Sequence, residues 1–84
     1  MHDAGLVAPL QSIIARVTHP VLAATIEPDS RLRDDLKLDD LDLQTIALDC
    51  DVEWGIEIPD LEWRGWITPA SIAATIEKHT RSEL

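Results

Sequence analysis

The sequence predicts an all-α fold, a small four-helix bundle with a long loop between its first and second helices. Apolar residues recur at steps of three and four in separate segments, which is the spacing of one buried stripe on an α-helix. Proline, glycine and small polar residues stand at the ends of these segments, where helices begin and end. The resulting order is helix, long loop, helix, short helix, helix, without an internal repeat.

The first helix is expected to run roughly from residue 4 to residue 18. Its apolar stripe consists of Val7, Leu10, Ile14 and Val17, with Leu6 and Ile13 alongside. Pro9 fits this helix in the first turn, where a missing N–H costs nothing. Thr18-His19-Pro20 ends the helix or kinks it, and residues 21–26 fit either a helical extension or a packed loop.

The long loop leads into the second helix. Residues 27–30 have the composition of a turn, and three leucines of the loop are predicted to enter the core: Leu32, Leu36 and Leu38. The second helix begins near Asp39 or Asp40, either of which can cap its N–H groups, and runs to about Trp54. Gly55 follows as a C-terminal stop.

Two shorter elements complete the predicted bundle. Residues 56–60 are expected to be extended, because the residue before Pro59 is pushed from the helical region. Residues 63–66 are expected to form a short helix or turn. Thr68 then caps a last helix with Pro69 at its first position, and this helix directs three residues inward: Ile72, Ala73 and Ile76.

The composition restricts the kind of partner. The 84 residues make one domain, residues 1–84, with a formal net charge of −9. Nucleic acid would repel such a chain, because its recognition rests on Lys and Arg, whereas a basic protein surface would attract it. Acidity that serves solubility alone is the other interpretation. No apolar run approaches the roughly 18 residues of a membrane span, and the N-terminus lacks the basic flank of a secretion signal. We therefore expect a soluble, cytoplasmic monomer.

One segment carries a recognisable motif. Leu36-Lys37-Leu38-Asp39-Asp40-Leu41-Asp42-Leu43 resembles the attachment motif of acyl and peptidyl carrier proteins, in which Asp-Ser-Leu opens the second helix. Four further segments resemble carrier proteins in the same order: residues 28–32, 34–36, 54–59 and 66–68 with 72–76. The resemblance covers residues 28–78 in register, and it implies a four-helix bundle of the acyl-carrier-protein type.

Two residues depart from the pattern of that family. In carrier proteins the motif serine is esterified with 4′-phosphopantetheine, the arm whose thiol carries the acyl group, and here that position is Asp40. Attachment needs a hydroxyl that attacks a phosphorus centre, so we expect no cofactor on the chain as sequenced. Ser30 also follows an aspartate, but no helix is expected to start there. Lys37 stands where the family usually has glycine. Natural divergence and a substitution that locks the protein in its apo form both account for Asp40.

The second helix is predicted to have two apolar faces. A projection at about 100° per residue places the core stripe within a narrow arc: Leu43, Ile46, Ala47, Cys50 and Trp54. Nearly opposite lies a second apolar strip with acids beside it, where carrier proteins dock onto enzymes that present a basic patch. The docking residues inferred in this way are Asp39, Leu41, Asp42, Thr45, Leu48, Asp49, Val52 and Glu53. In the other interpretation, the long loop and the last helix cover Leu41 and Val52.

The resemblance implies acyl- or aminoacyl-transferring and ligating enzymes as partners. Two other classes stay open: an acidic interaction or regulatory module unrelated to acyl transfer, and a plain structural subunit. No catalytic residues are predicted, because nothing in the chain assembles a nucleophile, a base and an oxyanion hole. We therefore do not expect an enzyme.

The remaining side chains with possible chemistry favour structural roles. Residues 49–53 with Asp60 resemble a calcium loop, but the glycine is one place late and the predicted helix includes the same residues. Three histidines have no ligand spacing, so no metal site is predicted: His2, His19 and His79. Cys50 is expected to be a buried apolar residue, and Trp54 a core residue. Trp63 and Trp66 are expected to close the bundle, with the lining of an acyl pocket as the alternative.

Overall fold

Five α-helices form the part of the chain that the computed structural model describes, residues 8–81. They are α1 (Ala8–Val17), α2 (Pro20–Ala23), α3 (Asp40–Trp54), α4 (Asp60–Arg64) and α5 (Pro69–Arg81). Residues 8–81 contain no β-strand. The prediction of an all-α bundle with a long loop before the motif helix is confirmed. The predicted second helix is α3, which contacts α1, α4 and α5 and so lies at the centre of the bundle.

The first helix follows the predicted stripe. Leu10, Ile13 and Ile14 are buried, and Val17 packs against the same core. The predicted start at residue 4, with Leu6 and Val7, lies outside the described residues. Pro9 is the second residue of α1, in keeping with its tolerance in a first turn.

A separate helical turn follows α1, so residues 21–26 are neither an extension of it nor a simple loop. Pro20 has no N–H to continue the ladder of α1, but its fixed φ suits the first position of a new helix. The Nδ1 atom of His19 accepts a hydrogen bond from the Val21 N–H at 3.1 Å and caps α2. Thr18-His19-Pro20 therefore both ends α1 and begins α2.

The long loop between α2 and α3 is pinned by its leucines, as predicted. Leu32, Leu36 and Leu38 are all buried in the core. The backbone N–H of Leu32 donates to the Ile67 carbonyl at 2.9 Å, and the Thr18 hydroxyl donates to the Leu36 carbonyl at 2.8 Å. The loop is thus bonded both to the end of α1 and to the segment after α4.

The bounds of α3 agree with the prediction. Asp39 is the N-cap and Asp40 the first helical residue. Gly55 adopts φ 63°, the left-handed conformation that ends a helix, and its N–H donates to the Asp51 carbonyl. The predicted core stripe is confirmed, since Leu43, Ile46, Ala47 and Cys50 are buried and Trp54 is partly buried against them.

The short helix begins earlier than predicted. It spans Asp60–Arg64 and ends at Gly65, so Asp60 is helical rather than extended. The indole N–H of Trp63 donates to the Asp60 carboxylate at 3.0 Å across this single turn. That bond favours a helix that starts directly after Pro59, whose lack of an N–H suits the position before a first turn.

The last helix begins as predicted. Thr68 and Ser71 exchange hydrogen bonds, each backbone N–H donating to the other residue's hydroxyl at 3.2 Å, and Pro69 is the first residue of α5. Ile72 and Ile76 are buried and Ala73 packs beside them. None of the helices within residues 8–81 is long and apolar enough to cross a membrane.

Candidate functional site

The motif segment places two aspartates in a reciprocal cap at the start of α3. The Asp42 N–H donates to Asp39 Oδ1 at 3.0 Å, and the Asp39 N–H donates to Asp42 Oδ2 at 3.1 Å. The bond from the Asp42 N–H holds the pKa of Asp39 below its ordinary value of 3.8. Asp39 is therefore ionised at neutral pH, which also suits the positive end of the helix dipole.

Asp40 is the first residue of α3, and its side chain is 69% exposed. Its Oδ1 atom lies 2.5 Å from Nη2 of Arg33 in the preceding loop. The carboxylate at position 40 is thus bound by a guanidinium group and offers no hydroxyl.

The residues at this site do not fit a 4′-phosphopantetheine ester. Asp40 lacks the hydroxyl, and the nearest hydroxyl on α3 in sequence, Thr45 Oγ1, donates to the Leu41 carbonyl at 3.0 Å. Ser30 lies in a turn, where its hydroxyl accepts a hydrogen bond from the Glu27 N–H at 3.0 Å. Ser71 is committed to the cap of α5.

A strip of apolar side chains on α3 is open to solvent. Leu41 is 72%, Leu48 58% and Val52 85% exposed. The interpretation in which the long loop and the last helix cover Leu41 and Val52 is therefore wrong. The loop leucines and the isoleucines of α5 instead join the core with the buried stripe of α3.

The polar residues of the predicted docking set divide into two groups. Asp39 and Asp42 hold the start of the helix through their mutual bonds. Asp49 lies 4.0 Å from Arg16 of α1, at the outer limit of an ion pair, and Glu53 is exposed. Of the predicted acids, Asp49 and Glu53 are thus placed beside the apolar strip without a role in the cap.

The structure adds a group of residues that the sequence did not indicate. Arg33 belongs to a cleft of about 360 Å³ between the long loop and the segment that follows α4, lined by Arg31, Arg33, Asp34, Arg64, Gly65, Trp66 and Ile67. The loop has no periodic pattern, so its arginines could not be assigned to a common surface from the sequence. The only indication of the Arg33–Asp40 pair in the sequence is an arginine seven residues before an aspartate, which does not predict a contact.

The two tryptophans after Pro59 are buried, and both indole N–H groups are satisfied. Trp63 donates to Asp60, and Trp66 Nε1 donates to Thr75 Oγ1 at 2.9 Å. This placement supports the prediction that they close the bundle. The cleft that Trp66 lines is rich in arginine, which does not suit an acyl chain.

Cys50 is fully buried, and burial, reinforced by the neighbouring Asp51, Asp49 and Glu53, raises the pKa of its thiol to about 12. Such a thiol is not a nucleophile at neutral pH, in agreement with its predicted role in the core.

The segments examined for metal binding have other structures. Residues 49–53 lie within α3 rather than in a calcium loop. His19 caps α2, and His79 Nε2 lies 2.8 Å from Glu62 Oε1, while His2 lies outside the described residues. Over residues 8–81, no group of three or more His, Cys, Asp and Glu side chains is placed to hold a metal ion.

Known proteins with a similar sequence are acyl carriers. The chain is 32% identical over 73 residues to the meromycolate extension acyl carrier protein of Mycolicibacterium aurum, which covers 87% of this chain and 74% of that protein. The protein of the same name from Mycolicibacterium smegmatis gives 32% identity over 87% of this chain and 73% of its own length. The protein of that name from Mycobacterium tuberculosis strain H37Rv gives 32% identity over the same share of this chain and 63% of its own length. No protein-family model matches the chain. On the strength of these relatives, the carrier-type helical bundle and the motif at the start of α3, the chain belongs to the acyl carrier protein family.

Proposed function

We propose that this protein docks onto acyl- or aminoacyl-handling enzymes through the exposed face of α3 and is not itself loaded with 4′-phosphopantetheine. The docking surface consists of Leu41, Thr45, Leu48, Asp49, Val52 and Glu53, with Asp39, Asp40 and Asp42 at its edge. In this proposal the chain contributes a recognised shape and charge, and the partner contributes the chemistry.

The observation that carries the proposal is the exposure of Leu41, Leu48 and Val52 on a helix that already buries its other face. One buried stripe is sufficient to hold a helix in a bundle. The three large apolar side chains on the opposite face of the same helix are more exposed than buried, so little hydrophobic stabilisation is expected from them in the isolated chain. Contiguous exposed apolar residues with a polar rim are typical of protein interaction sites.

Charge supports the same class of partner. Asp49 and Glu53 lie on α3 beside the apolar strip, and the whole chain carries a formal net charge of −9. Such a surface attracts basic protein patches and speeds their encounter. The relatives are named as carriers in meromycolate extension, which favours enzymes that handle acyl chains.

The unloaded state follows from the chemistry of Asp40. A carboxylate in place of the hydroxyl would form at best a labile mixed anhydride with a phosphoryl group. The Asp40 carboxylate is also engaged by the Arg33 guanidinium in a direct ion pair. Asp40 thus occupies the attachment position as a fixed negative charge.

The test restores the hydroxyl and leaves the rest of the surface unchanged. The Asp40→Ser variant and the unchanged protein are each incubated with a phosphopantetheinyl transferase and coenzyme A, and intact mass is measured. We expect the mass of one phosphopantetheine on Asp40→Ser and none on the unchanged protein. Asp40→Ala serves as the matched control, because it loses the Arg33 pair in the same way but gains no hydroxyl.

The outcomes separate the candidate functions. Modification of Asp40→Ser alone supports a carrier surface disabled at one side chain. Modification of the unchanged protein would overturn the unloaded state and locate the site elsewhere. A folded Asp40→Ser variant that gains no mass would overturn recognition by carrier-processing enzymes, and an acidic interaction module unrelated to acyl transfer would then be favoured.

A further inference from the structure

We propose that the cleft between the long loop and the segment after α4 binds a small phosphorylated molecule, and that the Asp40 carboxylate weakens this binding by engaging Arg33. The cleft is lined by the guanidinium-bearing residues Arg31, Arg33 and Arg64. None of its lining residues belongs to the docking surface on α3; the two proposals share only Asp40, and each has its own test.

The concentration of positive charge is the first observation. The chain has 7 Lys and Arg residues against 16 acids, yet three of those seven line this one cleft. Asp34 is the only acid among the lining residues. At physiological salt, charges farther away than a Debye length of roughly 8 Å are largely screened. Asp35 and Asp40 lie beside Arg31 and Arg33, so these nearby carboxylates partly offset the attraction of the arginines for a small anion. The acids farther away than a Debye length contribute little.

The walls of the cleft are fixed by backbone hydrogen bonds. Arg31 lies in a closed turn, since its carbonyl accepts from the N–H groups of Asp35 and Leu36 at 2.8 and 3.0 Å, and its own N–H donates to the Asp35 carboxylate at 2.9 Å. The bond from Leu32 N–H to the Ile67 carbonyl joins this turn to the opposite wall. Such preorganisation lowers the entropy that a ligand loses on binding.

The arginines themselves are only partly engaged. Arg64 lies over the Trp63 ring, with its guanidinium carbon 5.5 Å from the ring centroid, an arrangement that leaves its N–H donors able to bind an anion. Arg31 has no ion pair to its side chain within residues 8–81, whereas Arg33 is paired with Asp40. Two guanidinium groups are thus available, and the third is held by the carboxylate at position 40.

The ligand class follows from the number of donors. One guanidinium fork satisfies a carboxylate in bidentate fashion. Two available guanidinium groups, with Arg33 as a third when it is released from Asp40, suit an anion with more charge and more acceptor oxygens. A phosphate ester carries up to two charges and three strong acceptors. The cleft volume of about 360 Å³ is at the small end of the range for ligand sites, roughly 300–1,000 Å³. A small phosphorylated molecule fits both properties.

Pyrophosphate is the probe for the test. It is titrated into the 84-residue chain at constant ionic strength, and backbone amide, indole and arginine Nε–H signals are followed by NMR. We expect saturable shifts at Arg31, Arg33, Arg64 and Ile67. Arg31→Gln and Arg64→Gln should each weaken binding about tenfold, an effect of the size expected for one charge-assisted contact. Arg16→Gln on α1 makes the same charge change outside the cleft and should leave the affinity within about twofold.

The role of Asp40 has its own matched pair. Asp40→Asn removes the charge that engages Arg33 and should tighten pyrophosphate binding several-fold. Glu57→Gln makes an equal charge change at an exposed residue between α3 and α4 and should not. Unsaturable shifts, or an equal loss with Arg16→Gln, would overturn the site and indicate diffuse attraction to basic residues. Tighter binding of succinate than of pyrophosphate would overturn the phosphate assignment. An unchanged affinity in Asp40→Asn would overturn the coupling to position 40.

Discussion

Asp39 and Asp42 accept each other's backbone N–H, at 3.0 and 3.1 Å, and so close the first turn of α3. Both of these acids therefore have a structural role, because they cap the N-terminus of α3. A charge reversal at Asp42, one of the docking residues inferred from the sequence, would damage this cap as well as the surface. The acids suited to that test are Asp49 and Glu53.

The first prediction concerns this cap. Asp39→Ala removes the acceptor for the Asp42 N–H and should lower the melting temperature, while Asp39→Ser, which restores an acceptor, should recover most of the loss. Because the pKa of Asp39 is lowered from 3.8, its contribution is present above that pH and is lost as the pH falls through the folded pKa. The difference between the wild type and Asp39→Ala, followed by circular dichroism, should therefore shrink below about pH 4. Equal stability of all three proteins at neutral pH would contradict a stabilising cap.

The second prediction concerns docking. In an Asp40→Ser background, the double reversal Asp49→Lys/Glu53→Lys should slow modification by a phosphopantetheinyl transferase by about tenfold at low salt, because acidic residues steer the encounter with a basic patch. Glu27→Lys/Asp29→Lys changes the net charge equally in the loop between α2 and α3, and it should have little effect. Initial rates from intact mass measure both.

Salt and the apolar strip give further readouts of the same docking surface. Added salt should reduce the difference between the two double variants, since it screens exposed charges. Leu48→Ser should slow modification at any salt concentration. Equal rates for the two double variants would show that net charge alone guides the encounter and that the α3 surface has no special part in it.

The third prediction concerns Lys37, which adopts φ 59°. A left-handed conformation costs a residue with a Cβ roughly 1–2 kcal/mol, whereas glycine adopts it freely but loses about 0.5–1 kcal/mol of chain entropy on folding. Lys37→Gly should therefore raise the free energy of unfolding by about 0.5–1 kcal/mol. Lys37→Ala, which removes the same charge but keeps a Cβ, should not. Urea denaturation compares the three proteins, and a stabilised Lys37→Ala would point to charge rather than backbone strain.

The sequence predicted α3 to within a residue because the signals for this helix are local. Asp39 caps it, Gly55 ends it, and a single buried stripe lies between them. The start of α4 was missed because the decisive bond, from the Trp63 indole to Asp60, is a side-chain contact that no periodicity reveals. For α2 the proline signal was correct, but four residues are too few for a pattern.

Of the candidate site, the residues on α3 could be predicted from the sequence, whereas the contacts made by the long loop could not. The apolar strip of α3 follows from helical geometry, so Leu41, Leu48 and Val52 could be placed on one face in advance. Whether the strip is covered depended on the path of the long loop, and the buried leucines Leu32 and Leu36 fix that path only in three dimensions. The Arg33–Asp40 pair and the arginine cleft depend on the same path.

The fourth prediction compares two leucines of α3. Leu43 is fully buried, whereas Leu48 is 58% exposed. Leu43→Ala should lower the free energy of unfolding by about 3 kcal/mol through lost burial and a residual cavity, and Leu48→Ala should change it by less than about 0.5 kcal/mol. Urea denaturation of the two variants measures this difference. A large loss in Leu48→Ala would mean that the exposed strip stabilises the isolated chain, which would weaken its assignment as a docking surface.

The fifth prediction concerns the junction of α4 and α5, where Glu62 receives hydrogen bonds from Lys78 at 2.7 Å and from His79 at 2.8 Å. These bonds hold the pKa of Glu62 below its ordinary value of 4.5, and the bond from Lys78 has the larger effect. A carboxylate whose pKa is lowered by folding stabilises the folded state at pH values above its pKa in the unfolded chain. That contribution is lost as the pH falls through the pKa of the folded state. Glu62→Gln should therefore cost less than about 1 kcal/mol at pH 7, and the difference from the wild type should vanish below about pH 4. Glu57→Gln removes an exposed carboxylate between α3 and α4 and serves as the control for the loss of one negative charge at pH 7. A difference that persists unchanged at pH 3 would mean that Glu62 acts through packing rather than through its charge.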